Sequence, residues 1–285
     1  MNETSRQRHG GGCIIRLIIF AVIIFAVWWF NNFWLITTNE TIRSDKIKKS
    51  IRIAVIGDLH ASKSFFAIKN KDIIKKINES SPDAVCFVGD MHSSNADDEE
   101  KQISLELMRD TAKEGYRCYF VLGEHDDRTD MYVKKIEQNG INVLDQESEK
   151  VNIKGNDIVF YGISNAWFSE NFDLRKDFKL DKKAYSILLA HIPMYDDYEK
   201  FGADLTICAD THGGIVRIPF MGPAYLDGKI LPKVIGDNKE KVYDKGLFKT
   251  DSGYIFITSG IGNYPIPARF NNFPEIGVID IKTGN

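Results

Sequence analysis

Apolar and polar positions divide this chain into three kinds of pattern. Residues 14–36, IIRLIIFAVIIFAVWWFNNFWLI, are apolar almost throughout, with Arg16 as the one charge. A helix of that length crosses a bilayer. From residue 51 onward, short apolar runs alternate with amphipathic stretches. Ile51–Ile56 predicts a buried strand that closes at Gly57. Residues 66–80 set Ile68, Ile73, Ile74 and Ile77 among lysines, which predicts a helix ending before Pro82. Ala84–Val88 predicts another buried strand. Residues 100–114 predict a helix with Ile103, Leu107 and Met108 on one face and Gly115 as its C-cap. Strands are expected at Tyr116–Leu122, Ile141–Leu144, Val151–Ile153, Ile158–Tyr161, Ala184–Ala190 and Leu205–Cys208. The remainder, to Ile281, reads as strands and Gly/Pro turns. This order, βα units first and antiparallel strands later, predicts a layered α/β sandwich.

The apolar segment divides the chain into regions: a polar tail at 1–13, a transmembrane anchor at 14–36, a lysine-rich juxtamembrane linker at 37–50 and a folded domain at 51–283. Trp28, Trp29 and Trp34 gather at one end of the segment, as an interfacial belt does. A cleaved signal would have a shorter apolar region ending in small residues, so an uncleaved single-pass anchor is the better reading. Arg6, Arg8 and Arg16 precede the segment; Arg43, Lys46, Lys48, Lys49 and Arg52 follow it, so charge does not decide the orientation. The expectation adopted is an extracytoplasmic catalytic domain. A net charge of −3 gives no general argument for a nucleic-acid partner, and none is expected. The four cysteines form no Cys-x-x-Cys pair, and Cys86, Cys118 and Cys208 lie in apolar runs, so buried inert thiols are expected.

Five predicted strands end in polar clusters: Asp58/His60, Asp90, Glu124/His125/Asp126, His191 and Asp210/His212. Four of the six histidines fall there. Open α/β sheets bind ligands at the carboxyl ends of their strands. Carboxylates and imidazoles converging there suit one or two divalent cations. Asp and His are also ordinary strand-terminating residues, so any one cluster alone carries little.

Together the motifs Asp58-x-His60, Gly89-Asp90, Gly123-x-His125-Asp126, Ala190-His191 and Thr211-His212-Gly-Gly214 resemble the calcineurin-like metallophosphoesterase family. Within it they are similar to the membrane-associated bacterial branch of YkuE-type phosphodiesterases. The likeness extends through Gly140–Leu144, Ser259–Gly262, Ala268–Phe270 and Phe273–Ile276. The resemblance implies an α/β/β/α sandwich preceded by one transmembrane helix. It implies a first metal held by Asp58, His60 and His212, a bridging Asp90, and a second metal completed by Glu124, His191 and Asp210. It also implies that His125 protonates the leaving oxygen or steadies charge on the phosphoryl group, with Asp126 able to orient it.

Two positions depart from the family pattern. Gly123-Glu124-His125 stands where Gly-Asn-His is usual, and Ala209-Asp210-Thr211-His212 stands where Gly-His-x-His is usual. Both belong to the implied second metal, which becomes oxygen-rich. That favours Mn²⁺, with Mg²⁺, Fe or Zn²⁺ as alternatives for the two divalent ions. The resulting expectation is a metal-dependent phosphoric ester hydrolase acting on a phosphodiester, phosphomonoester or pyrophosphate, with a lipid-linked or cell-envelope substrate suggested by the anchor. The competing expectation is a membrane-tethered binding or sensing protein whose altered second site has lost turnover.

Overall fold

The computed structural model describes residues 7–164, 173–235 and 242–284. The chain begins with a helix, α1 (Gln7–Phe33), whose apolar residues from Ile14 to Val27 are mostly exposed. Gly12–Phe33 is long and apolar enough to cross a membrane. The helix differs from the sequence expectation at both ends. Residues 7–13, expected in a polar tail, are helical; residues 1–6 lie outside the described residues. At the other end, Ile36 already belongs to a strand.

That strand, β1 (Ile36–Ser44), corrects the expected linker at 37–50. It pairs in parallel with the last strand, β16 (Glu275–Thr283). The catalytic domain therefore starts near residue 36, not 51. Between β1 and β2 (Ile51–Ile56) the chain makes a short turn at 45–50 that exposes Lys48 and Lys49 but buries Ile47 in the core.

Three βα repeats follow: α2 (Asn70–Ser80), β3 (Ala84–Val88), α3 (Asp98–Lys113), β4 (Arg117–Val121), α4 (Asp130–Gln138) and β5 (Ile141–Val143). α2 starts four residues later than expected. α3 opens on a capping box, Asp97 and Glu100 each accepting the other's backbone N–H. The first sheet runs β1-β16-β2-β3-β4-β5, with β2 to β5 parallel. A second six-stranded sheet is built from β6 (Glu147–Ile153), β7 (Asn156–Ile163), β8 (Tyr185–Ala190), β9 (Leu205–Cys208), β14 (Gly246–Lys249) and β15 (Tyr254–Ile257). Two small hairpins, β10 (Arg217–Ile218) with β11 (Gly222–Pro223) and β12 (Tyr225–Leu226) with β13 (Lys229–Ile230), lie between β9 and β14. The second sheet is not the antiparallel array expected. β7, β8, β9 and β15 are mutually parallel, and only the marginal pairs β6/β7 and β14/β15 are antiparallel.

The sheets pack face to face through Val55, Cys86, Tyr119 and Val121 from one and Phe160, Ile187, Leu189 and Ile207 from the other. The outer face of the first sheet is covered by Ile73, Ile77, Leu107, Met108 and Ile136 from its helices. Tyr198 and Phe201 of α6 (Tyr195–Phe201), with Leu174 of α5 (Leu174–Asp177), cover the second. The result is the α/β/β/α sandwich, its central strands apolar on both faces because both faces are buried. Cys86, Cys118 and Cys208 are buried free thiols, as expected.

Candidate metal centre

Because β2, β3 and β4 are parallel in one sheet, and β8 and β9 in the other, their carboxyl ends gather at one rim. Asp58 and His60 follow β2, Asp90 follows β3, Glu124 and His125 follow β4, His191 follows β8, and Asp210 and His212 follow β9. Their ligand atoms form four overlapping groups, each within 4.8 Å: Asp58/His60/His212, Asp58/Asp90/His191, Asp90/Glu124/His125 and Glu124/His191/Asp210. All seven expected metal positions are thus brought together, with His125 beside them.

The backbone is bent to achieve this. Asp58, His60, Asp90, Asp210 and His212 have φ of +45°, +40°, +53°, +71° and +48°. That left-handed region is costly for residues with a Cβ and persists only where the surroundings impose it. Here Asp58 N–H donates to Gly89 O at 3.1 Å and His60 N–H to Asp90 O at 3.0 Å, tying the two strand-end turns together. Gly89 itself has a φ of +84°, and a Cβ there would come within 2.6 Å of His191 Nδ1. The glycine lets the β3 turn slide under the imidazole.

Each ring is held by one nitrogen and offers the other. His191 Nδ1–H donates to Val88 O at 2.8 Å, which turns Nε2 toward the cluster. Nε2 lies 3.2 Å from Asp90 Oδ2 and 3.9 Å from both Asp58 Oδ1 and Asp210 Oδ1. His60 Nδ1 meets Ser93 Oγ at 3.0 Å, and its Nε2 lies 3.7 Å from Asp90 Oδ2. Among the described residues, Asp58 Oδ2, His60 Nε2 and His191 Nε2 are buried with no hydrogen-bond partner. Buried polar atoms normally have partners, and three orphans aimed into one cluster fit divalent cations as the missing ones.

The charges agree. Burial, then the charges of Asp90 and Asp210, push the Asp58 carboxyl up to about 8 despite the opposing pull of His191. Burial likewise raises Asp210 to about 6, with Glu124 and Asp90 adding to it. Burial pushes His60 down to about 3. It works against His191 too, but Asp90, Asp58 and Asp210 hold that ring well above its usual range. This is an acidic cluster short of positive charge. The clustered carboxylates and imidazoles suit a dinuclear divalent metal site.

Several sequence expectations change. Asp126 does not orient His125. Its Oδ2 accepts the amides of Asp90 and Gly123, and its Oδ1 that of Met91, all at 2.8 Å, so it braces the turn that carries Asp90. His125 Nδ1 is held by the Ser94 hydroxyl instead. His92, two residues past Asp90, is buried, accepts the Asp127 amide and packs on Tyr132. Arg217 is an ion-pair residue, bound to Asp244 at 2.8 Å. Arg269 is buried, and its Nη2 donates to Ser259 O and Gly262 O, both at 2.7 Å, behind Asp58.

Three contributions were not read from the sequence. Tyr264 stacks on His60 with ring centres 4.4 Å apart and lies 4.9 Å from His125. Ser94 positions His125. Asn32, at the end of α1, donates to Arg269 O at 3.1 Å and accepts the Arg269 amide at 2.8 Å. Asn31 Oδ1 accepts the Asn271 amide, and Trp28 Nε1 donates to Pro267 O. The apolar helix is thereby fastened to the loop that backs the metal cluster. Only the Asn-Asn break in its apolar run signals this.

A model of the calcineurin-like phosphoesterase family matches residues 51–218. Over 261 residues the chain is 28% identical to the uncharacterized metallophosphoesterase YkuE of Bacillus subtilis, covering 87% of this chain and 86% of that one. It is 28% identical to an uncharacterized metallophosphoesterase of Helicobacter pylori, spanning 85% of this chain but 62% of the relative. It is 23% identical to another from Aquifex aeolicus, covering 93% and 98% of the two chains. With the strand-end cluster and the family match in agreement, the chain belongs to the calcineurin-like phosphoesterases and is a metal-dependent phosphoric ester hydrolase.

Proposed function

We propose that the protein is a membrane-anchored phosphoesterase in which Asp58, His60 and His212 hold one divalent cation, and Glu124, His191 and Asp210 a second, with Asp90 shared. The observation that carries this reading is the set of three orphaned, buried ligand atoms converging within 4.8 Å groups. Such cations supply positive charge that stabilises the phosphoryl oxygens and makes water acidic enough to attack. The oxygen-rich second set, Asp90, Glu124 and Asp210 with one imidazole, favours Mn²⁺ or Mg²⁺.

The chain's own part lies in placing a proton. As the imidazolium, His125 donates Nδ1–H to the Ser94 hydroxyl oxygen and carries a second hydrogen on Nε2. Nε2 lies 3.9 Å from Asp90 Oδ2 and from Glu124 Oε1, at the edge of the cluster. It is placed to protonate the oxygen that leaves phosphorus. One water is consumed: its oxygen bonds to phosphorus, the bond to the leaving oxygen breaks, that oxygen takes the Nε2 proton of the His125 imidazolium to leave a neutral ring, and the water's surplus proton, passed through solvent, restores the imidazolium. The Asn32–Arg269 fastening supports an α1 that stays with the enzyme.

Metal analysis of the full chain, alongside turnover of an aryl phosphodiester and an aryl phosphomonoester, tests this. Two bound metals and metal-dependent turnover, lost in His125→Ala while the metals stay bound, are expected. Two bound metals with no turnover of any ester would favour the binding-protein alternative.

A further inference from the structure

A cavity of about 240 Å³ opens beside the metal cluster and shares His60 with it. Phe33, Leu59, Ile68, Ile103, Ile261 and Pro265 give it apolar walls, Ser62, Ser64, Asn70 and Asn263 add polar groups, and among the described residues no charged side chain lines it. A second groove, of about 270 Å³, runs along α1 and is lined by Val22, Phe25, Ala26, Trp29, Phe30 and Phe66, all apolar. The two share a partition. Phe33 lines the first, Phe66 lines the second, and their ring centres lie 5.5 Å apart. Ser64 and Ala67, on either side of Phe66 in sequence, line the first.

The position of this partition matters. α1 leaves its apolar span at Trp28, Trp29 and Phe33, the level at which a bilayer passes from hydrocarbon to headgroups. Phe65 and Ile266, on the two loops beside that level, are exposed. A path that is apolar along α1 and mainly apolar in the cavity therefore leads from the hydrocarbon-facing flank of α1, past one aromatic pair, to an imidazole of the metal cluster. A water-soluble phosphoester has no use for such a path. A phosphoester carrying a hydrocarbon chain does, because burying each methylene is favourable and the headgroup is then delivered to His60.

Resting on the phosphoesterase and anchor readings above, we propose that this cavity is a chain-binding subsite and that the substrate is an amphiphilic phosphoester presented from the bilayer. The hydrocarbon chain lies in the cavity between Phe33 and Ile103, and the phosphate lies at the metal cluster.

The test uses the full chain in phospholipid nanodiscs with Mn²⁺ and a series of 4-nitrophenyl alkyl phosphodiesters from methyl to dodecyl. The measure is the kcat/KM for the dodecyl ester divided by that for the methyl ester. A buried methylene is worth roughly three- to four-fold, so the ratio should rise well above ten. Partition into the disc raises long-chain rates for every variant alike, so variants are compared in identical discs. Ile103→Trp, which fills the cavity, should lower the ratio at least ten-fold; Ala67→Leu, a smaller intrusion, serves if the first does not fold. A wild-type ratio in both variants overturns the proposal. A second readout needs no turnover: a dodecyl phosphate bearing a terminal diazirine is photolysed in the discs and its adducts mapped. Adducts on residues 59–68 and 261–267 are expected, and adducts confined to the exposed face of α1 overturn the subsite. Adducts in the cavity with no hydrolysis of any ester would keep the subsite and remove the phosphoesterase reading. Equal hydrolysis of all chain lengths with adducts only on α1 would do the reverse.

Discussion

The two sides of the metal cluster are built differently. Asp58 and His60 have side chains 0% and 3% exposed, and Arg269 backs Asp58 through the carbonyls of Ser259 and Gly262. Across the cluster, Glu124 and Asp210 are 30% and 31% exposed. The buried side keeps the family's residues, and the open side carries both departures. A charge changed in the interior loses its solvation with nothing to replace it, whereas one changed at a solvent-facing rim is screened. The open side is where ligand chemistry can drift without unfolding the sandwich, and the buried side is where it cannot.

The largest effects should follow from disturbing the Asp58/His60/His212 set, in which Asp58 and His60 are buried and His212 partly so. His212→Ala should remove one of the two metals and cut turnover by roughly a thousand-fold, since metal stabilisation of phosphoryl charge is worth several kcal/mol. Metal content by mass spectrometry and a steady-state assay read the two together; near-normal turnover would end the assignment. Asp58→Asn separates binding from stability. In the metal-free protein a buried carboxyl held at about 8 opposes folding at neutral pH, so this variant should lose metal yet melt higher than the metal-free wild type.

The same shifts give a pH dependence. A carboxyl raised in the fold contributes stability below its unfolded value near 4, and that contribution is lost as pH rises through about 8. His191, also raised, loses its contribution in the same direction. His60 and His212, both lowered by burial, act oppositely but have finished titrating above about 6.5. Between pH 6.5 and 8 the metal-free protein should therefore lose stability with rising pH. Saturating Mn²⁺ should flatten the dependence. Thermal melts with chelator and with metal check this, and parallel curves would show that the cluster charge is compensated elsewhere.

A smaller effect is expected from cutting the link between the apolar helix α1 and the buried side. Asn32→Ala removes three side-chain hydrogen bonds at a fully buried position, two of them to Arg269, roughly 1–3 kcal/mol of local stability. The Gly260–Asn272 loop should become more sensitive to proteolysis, and turnover should fall about ten-fold with both metals retained. Glu124→Ala, on the open side, should leave the loop's protease sensitivity unchanged. Removal of residues 1–45 is a poor substitute for this test, because it deletes β1 from the sheet.

The strand-end cluster was legible in the sequence because its ligands follow directly from local grammar. An apolar run ends, a turn residue follows, and a ligand sits at a fixed offset. β1 was not legible. Its partner β16 lies some 240 residues away, and its residues ITTNETIRS alternate too weakly at a half-exposed edge to separate a strand from a linker. The orientation of the second sheet was missed for a related reason, since short apolar runs carry no direction. Asp126 looked like a partner for its sequence neighbour His125, yet it is spent on backbone amides, which leave no trace in the sequence. Tyr264 and Arg269 come from a Gly/Pro loop that reaches the site only because the sandwich returns it there.

The subtlest prediction concerns the open side alone. Asp58, Asp90, Glu124 and Asp210 bring four negative charges to a centre suited to two divalent cations, so the ionised ligands and the metals cancel. The family pattern, with Asn and His at 124 and 210, would bring two. Carboxylate oxygens favour harder ions and imidazole nitrogen favours Zn²⁺, so the double change Glu124→Asn with Asp210→His should move the metal preference. Both side chains are partly exposed, so the change should cost little stability. Competition between Mn²⁺ and Zn²⁺, read as bound metal per chain, should show a shift toward Zn²⁺ of about ten-fold, a change of one ligand class being worth roughly 1–2 kcal/mol. The first site serves as the internal control, because Asp58, His60 and His212 are untouched and its selectivity should stay put. If both sites shift together, the two halves are coupled through Asp90 and the comparison drawn from burial is too simple. If neither shifts, the exposed carboxylates do not reach the metal, and Glu124 and Asp210 act on substrate or solvent.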